Sequence, residues 1–290
     1  MPNHITNILT VSGSPEEVER FRVTVSSENP DLIKLNIEKA QRTIKLYEEA
    51  EDKSNLGFDA DRSYEIAKEI VSSGKIPETI FTFEGTIPMP LELDGTVSGS
   101  SIPDWQKKSS ADLKKKYGAD NWYDFNISNY GTKWDAYDIG DLVHNDDGSI
   151  TYRFDTAWSP PSGWLCRTAE MFPSLTLEDA WKYEGGGAGT LTICVDEGIE
   201  NYTKMDDKEW YCLNDPWFKE ELERIQTGDY DEVINEYAEA GEAQNSYLDE
   251  DLLKRIKDED LPLFKNYEWW GDDRDTYRER MANINNAITK

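Results

Sequence analysis

From residue 149 to 158 the sequence alternates, with Tyr152, Phe154, Thr156 and Trp158 on one side and Arg153 and Asp155 on the other. A period of two fits an extended strand with one buried face, and a one-residue slip would turn every aromatic outward. Asn145-Asp146-Asp147-Gly148 immediately precedes it and has the residues a tight turn needs. Residues 132–142 are therefore expected to pair with 149–158 as a hairpin. The even-numbered side chains from Tyr152 to Trp158 and Trp134 are expected inside. Pro160 and Pro161 stop the strand.

The rest of the chain supplies the other elements of an α+β fold. Residues 4–11 read as a strand with Ile5, Leu9 and Val11 on one face. Ser14 caps a helix, with Pro15 at its first position and Glu17 closing a capping box. From 30 to 74 the pattern is helical and charged, with one stripe of Ile37, Ala40, Ile44 and Tyr47 and another of Tyr64, Ala67, Ile70 and Val71. Residues 79–83 read as a short strand, 109–117 and 121–130 as helices, and 162–171 as a further helix. A last strand pair, 175–183 and 190–195, spans Gly185-Gly186-Gly187.

Composition sets the outer limits. The 290 residues carry 59 acidic and 31 basic side chains, a net charge of −28, which opposes direct binding to nucleic-acid phosphates. With 37% hydrophobic residues, 10 Trp and 15 Tyr, there is material for a core. No apolar run approaches a membrane span, and the start lacks the basic and apolar regions of a secretory signal. Cys166, Cys194 and Cys212 are too few and too widely spaced for a disulfide framework, which fits a reducing cytosol. Residues 201–290 hold 24 acidic and 12 basic side chains, or −12 of the −28. We expect two parts: a domain over 1–200 with a helical insertion at about 25–78, and an acidic, mainly helical extension over 201–290.

Several blocks, taken together, resemble one family. They are Met1-Pro2-Asn3-His4-Ile5-Thr6-Asn7, Phe83 with Ile87-Pro88-Met89-Pro90, the run YGADNWYDFNISNYGTKWDAYD from Tyr117 to Asp138, and Phe154-Asp155-Thr156-Ala157-Trp158-Ser159-Pro160-Pro161. In these the chain resembles the YubB-type family of phage and plasmid proteins, over residues 1–14 and 79–200. The resemblance implies a ferredoxin-like domain, an antiparallel sheet with helices on one side, and a mobile-element origin. The family supplies no catalytic residues to carry over.

No constellation announces chemistry. His4 and His144 are the only histidines, and neither stands in a metal or nucleophile motif. The run Gly185 to Gly189 lacks the lysine and the following helix of a phosphate loop, so a hairpin turn is the better reading. Asp146-Asp147 and Asp206-Asp207 lack calcium-loop spacing. We therefore expect no enzyme, no metal and no cofactor.

Two features point instead to a binder. Trp122, Tyr123 and Trp164 flank turns within the aromatic block and are either core or contact residues for a partner. In the extension, Asp229, Asp231, Glu232, Glu236 and Glu239 interleave with Tyr230, Ile234 and Tyr237, which fits a helix holding a fixed negative surface. The expected partner is a host defence complex with a basic, nucleic-acid-facing surface, with no membrane involved; a module sequestering a nucleotide on the aromatic block is the alternative. Tyr277, Met281, Ile284 and Ile288 fall on one face of a C-terminal helix and need a covering surface, either the chain's own body or a second subunit. The expectation taken forward is a homo-oligomer.

Overall fold

The computed structural model describes residues 3–50, 59–99 and 102–205, together with Trp210 and Asn214. The chain divides into two compact units, Met1–Asp206 and Asp207–Lys290, and the elements below all belong to the first. The acidic residues from Asp229 to Glu239, the stripe from Tyr277 to Ile288, Asp206-Asp207 and Cys212 lie outside the described residues.

Strand β1 (His4–Ser12) alternates strictly, with Ile5, Asn7, Leu9 and Val11 buried. It lies at the centre of a six-stranded sheet with β2 (Val143–His144), β3 (Ile150–Ala157), β4 (Thr176–Tyr183), β5 (Ala188–Cys194) and β6 (Ile199–Met205) in the order β2-β3-β1-β4-β5-β6. Every neighbouring pair is antiparallel. Two helices make the crossovers: α1 (Pro15–Thr24) follows β1, and α6 (Ser162–Met171) links β3 to β4. The first four strands therefore run 2-3-1-4 with a helix in each half, which is the ferredoxin-like arrangement, and the β5–β6 hairpin widens it beyond β4.

The expected register of β3 holds from Tyr152 to Thr156. Tyr152, Phe154 and Thr156 are buried, Arg153 is exposed and Asp155 is half-buried. Phe21 of α1 and Trp164 of α6 pack over this face, with Phe21 against Tyr152, Trp164 and Phe172. Fully burying each large side chain here stabilises the fold by roughly 1.5–3 kcal/mol. On the other face Thr6, Ile8 and Thr10 are half-buried, and Glu178 is exposed.

Between α1 and β2 the chain inserts α2 (Pro30–Glu49), α3 (Ala60–Ser73), α4 (Asp104–Tyr117) and α5 (Trp122–Asn129). Asn29 caps α2 by accepting from the Asp31 and Leu32 amides, and Gly74 ends α3 in the left-handed region that favours glycine. The two helices meet along the expected stripes, with Ala40 and Ala67 buried and Tyr47 stacked on Tyr64 at 4.1 Å. Lys39 ties α2 to the body through Glu84 at 2.5 Å.

Several sequence expectations are corrected. Residues 79–83 do not form a strand. Their amides and carbonyls bond to the irregular backbone after α1 (Ser27 N to Thr79 O and Thr82 N to Val25 O), yet Phe81 and Phe83 are fully buried. Alternation was correct there and the ladder was not. Residues 132–142 follow β3 without forming a regular strand: Tyr137 bridges Asp155, Gly140 N donates to Arg153 O, and only Val143–His144 completes a ladder. The cause is Asp135, whose carboxylate accepts from the Phe83 and Ala136 amides and from the Thr82 hydroxyl, pulling the strand toward the 79–83 loop. Ser14 caps α1 through the Glu17 amide, but the Glu17 carboxylate turns to Arg20, so the capping box is half made. Helix α4 begins at Asp104, earlier than its pattern suggested. Strand β6 had no sequence signal and crosses the expected boundary at residue 200.

Candidate functional site

The corner where β3 ends is built by backbone bonds. Beyond Ala157 the chain turns through Trp158 at φ 76°, which with Asp138 is one of two non-glycine residues at positive φ among the described residues. A bulky residue held there is strained by about 1–2 kcal/mol and persists only because its surroundings fix it. Trp158 N donates to Asn3 O at 2.9 Å, and the Thr156 hydroxyl donates to Ser159 O at 2.8 Å. The Ser159 hydroxyl reaches Gly131 O at 2.5 Å, and the Thr132 hydroxyl reaches Ala157 O at 2.7 Å. The 129–131 loop then lies so close to the start of α6 that a Cβ on Gly163 would sit 3.0 Å from Gly131 N and 3.1 Å from Asn129 O. Glycine allows that approach without displacing its neighbours.

This corner pushes aromatic rings outward. Trp158 is 44% and Trp134 37% exposed, which corrects the expectation that both are core. For Trp158 the reason is the left-handed turn, which ends the alternation at Ala157. For Trp134 it is the irregular path of 132–142. The Lys133 ammonium stands over both indoles, 4.7 Å from the Trp134 ring and 4.5 Å from the Trp158 ring. Tyr123 meets Trp158 edge-on at 6.1 Å, and Trp122 meets Tyr123 at 5.8 Å. On the other side Trp134 meets Tyr137 at 6.0 Å, and the Tyr137 hydroxyl bonds His4 Nδ1 at 2.8 Å.

Carboxylates border the rings. Tyr137 is pushed up to about 12, first by burial and then by the charges of Asp155, Asp138 and Glu184. Asp155 is raised by burial first, and Asp138 adds to it, so the two carboxylates repel across the Tyr137 bridge. The corner is thus an exposed aromatic strip with an acidic border.

Among the residues singled out from sequence, Trp122 and Tyr123 belong to this strip and are half-buried. Trp164 does not. It is fully buried, stacked on Phe83 at 4.7 Å, and donates from Nε1 to the Thr86 hydroxyl at 2.7 Å. It is a core residue, positioned by the inner face of α6, and the contact role is withdrawn. Sequence reasoning missed Lys133, Trp134 and Trp158 as surface residues. The available signal was the Ser159-Pro160-Pro161 break, since a residue beside a strand stop need not obey the strand's alternation.

The other motifs resolve into structure. Gly185 to Gly187 form the β4–β5 turn, with Gly186 and Gly187 at positive φ and Tyr183 N donating to Gly187 O. Asp147 accepts from the Ser149 amide and hydroxyl, which lowers its pKa as a turn residue. Among the described residues no group of three or more His, Cys, Asp or Glu could hold a metal, and no helix is long and apolar enough to cross a membrane. One group of buried side chains carries polar atoms with no hydrogen bond among the described residues. On the inner sheet face, Asp179 is fully buried with neither oxygen bonded, and Asn7 Oδ1 and Trp181 Nε1 are also unbonded at adjoining register positions. Burial raises Asp179 well above the usual carboxylate range.

With this geometry in place, comparison with known proteins gives two findings. Residues 129–223 match the family described as the ferredoxin-like domain in Api92-like protein. Among solved structures, the crystal structure of protein api92 from Yersinia pseudotuberculosis aligns with 71% of this chain and 98% of its own, at 13% identity and a TM-score of 0.40. No curated protein matches the chain.

Proposed function

We propose that this chain, which carries the ferredoxin-like domain of the Api92-like family in residues 129–223, is a non-enzymatic binding protein of a phage or other mobile element. In this reading it blocks a host defence complex by occupying a basic surface that otherwise faces nucleic acid. The observation that carries the reading is Trp158, an indole 44% exposed on a backbone held at φ 76° by surrounding hydrogen bonds. Tryptophan is enriched, with tyrosine and arginine, among the residues that anchor protein interfaces. Strained backbone positions cluster at active sites and ligand clamps, which supports this reading.

Charge gives the partner its sign. A net −28 attracts a basic surface over a Debye length of about 8 Å at physiological salt, and it repels polynucleotides. The acidic stretch from Asp229 to Glu239 would add to that attraction in this reading, speeding encounter more than it slows release.

The test is co-purification of the full tagged chain from host cells, beside Trp158→Ala and Trp134→Ala variants that melt within about 1 kcal/mol of the parent. The reading expects a host protein to be retained by the parent and lost by both variants. A retained nucleotide in native mass spectrometry, without a protein, would favour the sequestering alternative. Retention of the protein partner by both variants would remove the corner from the interface.

A further inference from the structure

Resting on the reading that this corner binds a protein, we infer that the slot between the Trp134 and Trp158 indoles receives an arginine side chain of the partner, in the place that Lys133 now holds. The rings are already spaced for a cation. One ammonium lies within 4.7 Å of one ring centre and 4.5 Å of the other, well inside the roughly 6 Å reach of a cation–π contact.

Lys133 is a weak occupant of that slot. In a chain with 59 carboxylates, no described carboxylate pairs with it, and its ammonium rests on the two indoles. An ammonium is compact and strongly hydrated, and it sits on a flexible four-carbon stem that swings into water at small cost. A guanidinium is planar and weakly hydrated, and it stacks on aromatic faces, so it gains more from two indole walls than an ammonium does.

The border supplies what a guanidinium needs next. Its five N–H donors seek carboxylates, and Asp138, Asp155 and Glu184 gather around Tyr137, whose ring packs on Trp134. Arg153 shares the outer face of β3 with Asp155 and offsets part of that charge. An anionic ligand entering the same slot would be repelled by these carboxylates. Charge complementarity therefore selects a cation, and the flat walls select arginine over lysine.

Nuclear magnetic resonance of the full chain tests this through the indole N–H signals of Trp134 and Trp158. The probes are acetylated, amidated tri-arginine, the matching tri-lysine, and adenosine monophosphate. Saturable shifts of both indoles are expected with tri-arginine, on the order of threefold tighter or more than with tri-lysine. Lys133→Ala and Lys133→Gln should each tighten tri-arginine binding several-fold, because removing the internal competitor removes its share of the occupied state. A Trp134→Leu/Trp158→Leu double variant should abolish the saturable shifts elsewhere in the corner.

The inference is overturned if the indoles ignore tri-arginine, if tri-lysine or the nucleotide binds as well, or if both Lys133 variants bind no tighter. Binding that persists in the double variant would be diffuse attraction to an acidic surface and would overturn it too. Should tri-arginine fail while Trp158→Ala still releases the co-purified partner, the arginine assignment falls and the binding role stands.

Discussion

Trp158 and Trp164 are separated by five residues and belong to two different kinds of aromatic assembly. Under α6, Trp164 lies among Phe21, Phe81 and Phe83, with its Nε1 satisfied by Thr86. At the end of β3, Trp158 lies beside Tyr123 and Lys133 with nearly half of its surface in water. Both regions use ring-to-ring contacts of similar geometry, so ring contacts do not distinguish a core from a surface. The backbone does. Helix α6 directs Trp164 inward by its period, whereas the left-handed turn at Trp158 breaks the period of β3 and directs its ring outward.

The comparison breaks first on stability. Trp164→Ala should destabilise the fold by about 3–5 kcal/mol, the usual loss for a large buried aromatic, and leave the Thr86 hydroxyl without its indole donor. Trp158→Ala should cost about 1 kcal/mol or less. Chemical denaturation of both variants checks this. Similar losses for the two would mean that Trp158 is as structural as Trp164 and would end its role as a projecting anchor.

Next in size is Asp179, a carboxyl fully buried within the core. Its carboxyl lies opposite Leu9 and Leu191, with neither oxygen bonded. Its folded pKa is raised, so the native state keeps a proton that the unfolded chain gives up near the ordinary carboxylate value. Stability is then fully present below the unfolded pKa and falls as pH rises through the folded one. Asp135 acts in the same direction, as burial raises it to about 6 against the pull of Thr82, Phe83 and Ala136. Asp179→Asn should shallow the fall of melting temperature with rising pH, and Asp179→Leu should stabilise at neutral pH by about 1–3 kcal/mol. A pH profile unchanged in Asp179→Asn would mean that the carboxyl has a partner when the protein is in water.

How much of this contrast the sequence contains depends on which interaction decides each element. Strand β1, the register of Tyr152 to Thr156, helix α5 with its Asn121 cap and the glycine turn after β4 are set by local pattern, and local pattern was readable. Residues 132–142 are shaped by the Asp135 carboxylate reaching residues far away in sequence, which no period reports. The aromatic residues divide along the same line. Trp122 and Tyr123 flank a turn and are half-buried, whereas Trp164 also flanks one and is core, because a flanking turn does not say which way a ring faces.

A smaller effect sharpens the reading of the corner itself. Trp158→Gly removes the left-handed strain of about 1–2 kcal/mol but also the half of the indole that is buried. The two changes oppose each other, so stability should shift by less than about 1 kcal/mol while partner retention is lost. Trp158→Asn, which tolerates the left-handed region, should behave alike. Strong destabilisation by glycine would show that the ring, and not the surrounding hydrogen bonds, holds the turn.

The smallest effect expected concerns self-association. Tyr277, Met281, Ile284 and Ile288 are spaced in sequence so that a helix would set them on one face, where four such side chains would need a covering surface. Self-repulsion at −28 opposes a homo-oligomer, but Arg274, Arg278 and Arg280 soften that charge locally and can pair with a neighbour's acidic residues. On this balance we propose a weak homo-oligomer, more stable as salt rises and the repulsion is screened, since apolar burial does not depend on screening. Light scattering on the full chain and on a Met281→Glu/Ile284→Glu variant, each at low and high salt, reads it directly. The parent should gain mass with salt and the variant should stay a monomer with an unchanged melting temperature. Equal masses with a lowered melting temperature in the variant would instead place the stripe against the chain's own body.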